Sequence, residues 1–211
     1  MKPILLAAFF TFVGSTLLTA DVVLNVSANT TPLEGQSGYF AFDFIGGTPV
    51  ENNTVTISNF TSDATLGTLT PTGGASGSIV PGPGILNDSQ FFNELLQAVT
   101  FGTTASFTLD LTTNSTSGGL PDAFALYLLD STQNPFATSD PTGADSLFAI
   151  NIDGPNLTPA VFTSQLATVT LTSASSVPEP RGYGLLVVSC LGLAAMSRFC
   201  RSSTLAAQKT R

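Results

Sequence analysis

Along most of this chain apolar and polar residues alternate one for one. Val22, Leu24 and Val26 fall on one face of residues 21–26, and Phe40, Phe42 and Phe44 alternate with Ala41 and Asp43. Val55 and Ile57 sit between threonines, and Phe107, Leu109 and Leu111 alternate with Thr108, Asp110 and Thr112. Residues 124–128 and 148–152 follow the same rule, and Val169 with Leu171 closes the series. Period-2 alternation in short runs rich in Thr, Val, Ile and Phe predicts half-buried antiparallel strands. The separators carry turn formers: Gly46-Gly47-Thr48-Pro49, residues 71–77, 81–84, 118–121 and 140–143, and Asp153-Gly154-Pro155. Three strands share a template, Phe-x-apolar-(Asp/Asn)-apolar, at residues 40–44, 107–111 and 148–152. Its uneven spacing rules out a structural repeat and leaves strand grammar, Phe inward and the polar residue outward.

One segment breaks the alternation. Asn87-Asp88-Ser89-Gln90 precedes Phe91-Phe92-Asn93-Glu94-Leu95-Leu96-Gln97. Asn87 as N-cap with Gln90 three residues on suits a capping box, and Phe91/Leu95 and Phe92/Leu96 fall at i,i+4. This predicts a two-turn helix over residues 88–98, covering one end of the strands. The expected body is therefore mainly β: an antiparallel two-sheet β-sandwich, jelly-roll-like, with one short helix.

The two ends follow a different pattern. Residues 1–20 place Lys2 before an apolar stretch and end in Leu18-Thr19-Ala20 ahead of Asp21, the layout of a secretory signal peptide cleaved between Ala20 and Asp21. Residues 182–197 are sixteen uncharged residues bracketed by Arg181 and Arg198. At 1.5 Å per residue such a run covers about 24 Å of a ~30 Å hydrocarbon core, a deficit that snorkelling arginines and local thinning can supply. The residues beyond it, with Arg198, Arg201, Lys209 and Arg211 and no acid after Glu179, carry the charge of a cytoplasmic tail. A buried core helix is the rival reading of each run, and an uncleaved anchor is a further one for residues 1–20. Between body and run stands Val177-Pro178-Glu179-Pro180, where two prolines in three residues forbid helix and favour an extended, accessible hinge. The expected organisation is a signal peptide (1–20), a β-sandwich ectodomain (21–172), a Ser/Pro hinge (173–181), a transmembrane helix (182–197) and a basic cytoplasmic tail (198–211).

This tripartite end resembles the PEP-CTERM sorting signal of Gram-negative bacterial surface proteins. The resemblance covers roughly residues 177–201. It maps Pro178, Glu179 and Pro180 onto the recognition tripeptide and Arg198 with Arg201 onto the basic end. It implies Sec export, signal peptidase cleavage, transient inner-membrane anchoring and processing by an exosortase. It further implies display at the cell surface or in the extracellular matrix, often with exopolysaccharide.

Composition narrows the chemistry of the body. Among 211 residues there is no His and no Trp, and the two cysteines are Cys190 and Cys200. Between Asp21 and Pro180 there is no Lys or Arg, whereas all fourteen acids fall there. A His-based triad, a His zinc site, a thiolate nucleophile and an Arg/Lys phosphate clamp are excluded from the body, and nucleic acid is a poor partner for so acidic a domain. Asp140, Asp145, Asn151 and Asp153 cluster around Pro141-Thr142-Gly143 and offer the hard oxygens that Ca²⁺ accepts; the plainer reading is a hydrated loop built on Asx-turns. No other cofactor is expected. Asp43 and Asp110 sit mid-strand at comparable outward positions and, on neighbouring strands, could act as paired carboxylates. A solvated face is the plainer reading of both. With only Tyr39 and Tyr127 in the body, a sugar-stacking platform would have to use exposed Phe. The expected function is that of a non-enzymatic surface or matrix protein. A carbohydrate-binding module and a secreted hydrolase using paired carboxylates are the alternatives.

Overall fold

The computed structural model describes residues 22–47, 52–114, 120–152 and 157–174. The signal peptide, the Pro178-Glu179-Pro180 hinge, the apolar run 182–197, the basic tail with Arg198 and Arg201, and Asp153 lie outside the described residues. Among the described residues the chain forms twelve strands: β1 (Val22–Asn29), β2 (Ser37–Ile45), β3 (Thr54–Ser62), β4 (Thr65–Thr72), β5 (Ala75–Gly77), β6 (Gly84–Asn87), β7 (Phe92–Thr100), β8 (Thr104–Leu111), β9 (Asp122–Asp130), β10 (Phe148–Ile152), β11 (Ala160–Val161) and β12 (Thr168–Ser173). They make two six-stranded sheets, in the orders β12-β1-β8-β3-β6-β5 and β11-β10-β9-β2-β7-β4, here sheets A and B. Every pairing is antiparallel. Among the described residues no helix is long and apolar enough to cross a membrane.

The inner faces of both sheets feed one apolar core. Leu24 and Val26 of β1, Val55 and Ile57 of β3 and Phe107, Leu109 and Leu111 of β8 meet Phe40, Phe42 and Phe44 of β2, Leu95 of β7 and Phe124 with Leu126 of β9. All three copies of the Phe template turn their apolar positions inward, and Phe42 of sheet B meets Phe107 of sheet A edge-on at 5.4 Å between ring centres. Edge-to-face contacts of this kind add roughly 0.5–1.5 kcal/mol beyond area burial. The described body has no cysteine, so its stability rests on this core rather than on disulfides.

The helix expected over residues 88–98 does not form. Residues 88–91 are bends, and from Phe92 the chain is β7, hydrogen-bonded between β2 and the edge strand β4 of sheet B. Its inward positions are Asn93, Leu95, Gln97 and Val99, so two buried amides hide the alternation from a hydropathy reading. Each amide finds a carbonyl. Asn93 Nδ2 donates to the oxygens of Phe44 (3.0 Å) and Gln90 (2.8 Å). Gln97 Nε2 donates to Gly67 (2.9 Å), in the stretch of β4 where the register shifts between Leu66 and Leu69. Asn87 makes an Asx-turn with the Ser89 N–H (3.2 Å) instead of an N-cap. Among the described residues the helical content is a single 3₁₀ turn, Thr31–Leu33.

The last strand ends at Ser173, and a compact unit ends at Ala174. The Ala174 N–H donates to the Val23 carbonyl (2.9 Å), so the unit closes beside its first strand.

Candidate functional site

Asp43 and Asp110 do point outward, but from different sheets: Asp43 from β2 in sheet B, Asp110 from β8 in sheet A. The condition for pairing them, adjacent strands, is not met. The carboxylate that Asp43 meets is Glu94, directly opposite on β7. Both lie in a cross-strand row that reads Thr72, Glu94, Asp43, Ala125, Ala149, Ala160 from one edge of sheet B to the other. Alanines leave the pair no counter-charge on the β9 side, and no base occurs among the described residues. Asp43 Oδ1 is buried and receives no hydrogen bond from any ordinary donor, so its contact with Glu94 becomes a hydrogen bond only when one of the two carboxyls carries a proton. Burial, then the Glu94 charge and that hydrogen bond, push Asp43 from 3.8 up to about 7. Burial also raises Glu94, with the Asp43 hydrogen bond acting the other way. Tyr127, one row along on β9, is raised by burial and by the charges of Asp43 and Asp140. Below about pH 7 this arrangement favours one proton shared between the two carboxyls. Reading residues 88–98 as helix concealed it, because Glu94 then had no strand neighbour.

A second group of acids is buried where the β2–β3, β6–β7 and β8–β9 connections converge. Asp88 accepts the main-chain N–H groups of Asn52 and Asn53, and Asp122 accepts the Gly47 N–H (2.7 Å) and Asn53 Nδ2 (2.6 Å). Asn53 also bonds both main-chain groups of Asn114. Peptide N–H groups and amides replace the missing bases, as in any buried carboxylate held by dipoles rather than ions. This group ties three connections together.

The suggested cation loop is organised in the same way. Asp140 Oδ1 accepts Thr142 N (2.9 Å) and Oγ1 (2.7 Å), an Asx-turn, while Oδ2 accepts Ser146 N (3.2 Å) and Oγ (2.7 Å). Burial works upward on Asp140, but the bonds from Thr142 and Ser146 prevail and bring it down to about 2. Asp145 accepts the Thr138 N–H (2.9 Å), and Asn151 lies exposed on β10, opposite Ala123 of β9. Among the described residues no group of three or more His, Cys, Asp or Glu side chains comes together to hold a metal. Because Ca²⁺ would have to displace four donors from Asp140, the melting temperature is expected to be the same in EDTA and in millimolar Ca²⁺ at fixed ionic strength. A rise in Ca²⁺ would show that the loop rearranges to bind it.

The outer face of sheet A has another character. Its rows read Thr170, Ser27, Ser106, Thr61 and Thr172, Asn25, Thr108, Ser58, a field of hydroxyls and amides about 4.8 Å apart across strands. Thr61 and Ser106 hydroxyls hydrogen-bond at 2.7 Å. A shallow groove of about 260 Å³ is lined there by Asn25, Ser27, Asn59, Thr108, Thr170 and Thr172. Tyr39 and Tyr127 lie instead on the outer face of sheet B, half-buried, and the one strongly exposed aromatic among the described residues is Phe91, 76% exposed. No family model, curated protein or solved structure matches the chain.

Proposed function

We propose that the chain is an exported bacterial surface or extracellular-matrix protein, non-enzymatic, whose C-terminal segment is a PEP-CTERM-type sorting signal cut by an exosortase. The observation that carries this is the order Pro178-Glu179-Pro180, uncharged run 182–197, and basic residues Arg198 and Arg201, together with a signal-peptide-like start. On this reading Sec and signal peptidase release the body at Ala20–Asp21, and the inner membrane holds it in transit. The body is a jelly-roll-like β-sandwich, as two six-stranded antiparallel sheets around one core suggest. Its last described residue is Ala174, four positions before Pro178, and the two prolines of the tripeptide favour the extended backbone that a protease needs in its substrate.

The Asp43–Glu94 pair bears on the hydrolase alternative only for glycoside hydrolysis. Glycosidases hold their carboxyls about 5–5.5 Å or about 6.5–9.5 Å apart, whereas these two are in hydrogen-bonding contact. The hydroxyl and amide field of sheet A supports a second reading, a body that associates with exopolysaccharide through hydrogen bonds.

Replacing Pro178-Glu179-Pro180 by alanines is expected to leave a full-length, membrane-retained chain, and mass spectrometry of the wild-type surface form should end near the tripeptide. Recovery of peptides from residues 205–211 in that mature form would overturn the sorting reading.

A further inference from the structure

The four sheet edges among the described residues are unequal. β5 has three residues and β11 two. β4 is broken by the register shift between Leu66 and Leu69 and carries Pro71. Short, bulged or proline-bearing edges resist the addition of another strand. β12 has none of these protections. Its six residues, Thr-Val-Thr-Leu-Thr-Ser, pair with β1 in unbroken register and include no Pro, Gly or charge. β1 is uncharged as well, so the nearest acid within the sheet is Asp110 on β8, opposite Val23. The described residues hold acids and no base. Two copies therefore repel each other over much of their surface, and least along this edge.

The direction of the peptide groups follows from one hydrogen bond. Ala174 donates to Val23 across the ladder, so Thr172, Thr170 and Thr168 turn their peptide groups toward β1. Val169, Leu171 and Ser173 turn theirs to the open edge. We propose that this edge pairs with the same edge of a second copy, antiparallel, about a two-fold axis at Leu171.

In that register Leu171 faces Leu171 of the second copy, Val169 faces its Ser173, and Thr170 faces its Thr172. Open peptide groups then meet open peptide groups in every hydrogen-bonded pair, closing about six main-chain bonds. A two-fold axis parallel to the strands would set the same groups level in a parallel pair, and parallel ladders need them staggered by one residue. Val169 and Leu171 already pack at the margin of the core, so the joined edge extends that apolar layer from one copy into the next. On the other face Thr170 beside Thr172 continues the hydroxyl rows across the junction. Cross-strand threonine pairs and an isologous, self-complementary edge are both favourable features of such a contact.

The register can be tested by cross-linking in the full chain carrying Cys190→Ser and Cys200→Ser, in mild detergent. Thr170→Cys and Thr172→Cys chains, mixed and oxidised, are expected to give a linked dimer at least ~tenfold more abundant than either chain alone. A 170–172 pair lies within disulfide reach, whereas 170–170 and 172–172 pairs are diagonal. No linked dimer, or equal linking in the single-variant controls, would overturn the proposal. Thr170→Glu with Thr172→Glu sets like charges directly opposite one another on an exposed surface. It is expected to weaken self-association by ~tenfold or more in sedimentation, with an unchanged circular dichroism melt. Wild-type chain that sediments as a monomer independent of concentration would equally refute the pairing.

Discussion

Stability of the body is expected to peak near pH 4 and to fall on both sides, the neutral side being governed by Asp43. The folded state raises Asp43 from 3.8 to about 7, so between those values it binds more protons than the unfolded chain. Unfolding free energy then decreases as pH rises through that window and levels off above about 7, and Glu94 acts in the same direction. On the acid side the sign reverses. Thr103 and Thr104 donate to Asp63 and hold it at about 2, Thr142 and Ser146 do the same for Asp140, and Asp130 is lowered by Asn134 and Thr132. Those carboxylates stabilise the fold above 3.8, and their contribution is lost as pH falls toward 2. A tenfold change in a group's proton affinity is worth about 1.4 kcal/mol, so the neutral limb should amount to about 2–4 kcal/mol. That is a fall in melting temperature of roughly 5–10 °C between pH 4.5 and 7.5. Asp43→Asn cannot ionise and can donate to Glu94, so it should flatten this limb and melt higher than wild type at pH 7.5. A wild-type profile that is level from pH 4 to 8, or an Asp43→Asn profile with the same slope, would show that the two carboxyls do not share a proton.

Asn53→Ala is expected to cost about 3–5 kcal/mol, enough to bring the body close to its unfolding threshold. Asn53 is 2% exposed and serves three connections at once. Its amide donates to Asp122 (2.6 Å) and to the Asn114 carbonyl (2.8 Å), and its side-chain oxygen accepts from Asn114 N (2.9 Å) and Thr112 Oγ1 (3.2 Å). Truncation deprives a buried carboxylate of its amide donor and strips partners from two main-chain groups, and unsatisfied buried polar atoms cost more than the bonds contribute when made. Asn25→Ala, on the exposed face of β1, should cost about 0.5 kcal/mol or less. Urea unfolding of both variants measures the difference, read as a shift in midpoint at constant slope. Equal midpoints for the two would mean that the Asp88–Asn53–Asp122 group does not hold these connections together.

β2, β8 and β10 were legible as strands because over residues 40–44, 107–111 and 148–152 their inward positions are Phe, Leu or Ile and their outward ones polar or small. β7 was not, because Asn93 and Gln97 occupy inward positions that look like solvent positions until their acceptors are known. Two of those acceptors, the carbonyls of Phe44 and Gly67, belong to other strands and are brought near only by the assembled sheet. Local reading of Phe91/Leu95 and Phe92/Leu96 therefore favoured a helix, while pairing with β2 on one side and β4 on the other decided for a strand.

Asp43 shows the same division at the candidate site. The chain by itself determined that its body is β, that the Phe templates turn inward, and that Asp43 and Asp110 turn outward, since side-chain direction in a strand is a property of adjacent residues. It also determined that the body's acids would have no base to meet, which left peptide N–H groups, amides, hydroxyls or a shared proton to hold them. Which of these each acid obtained was decided only by the tertiary structure. Glu94 rather than Asp110 reached Asp43 because sheet order and register arise from pairing between distant segments, and a strand's own sequence specifies the face a residue takes but not the neighbour it meets there.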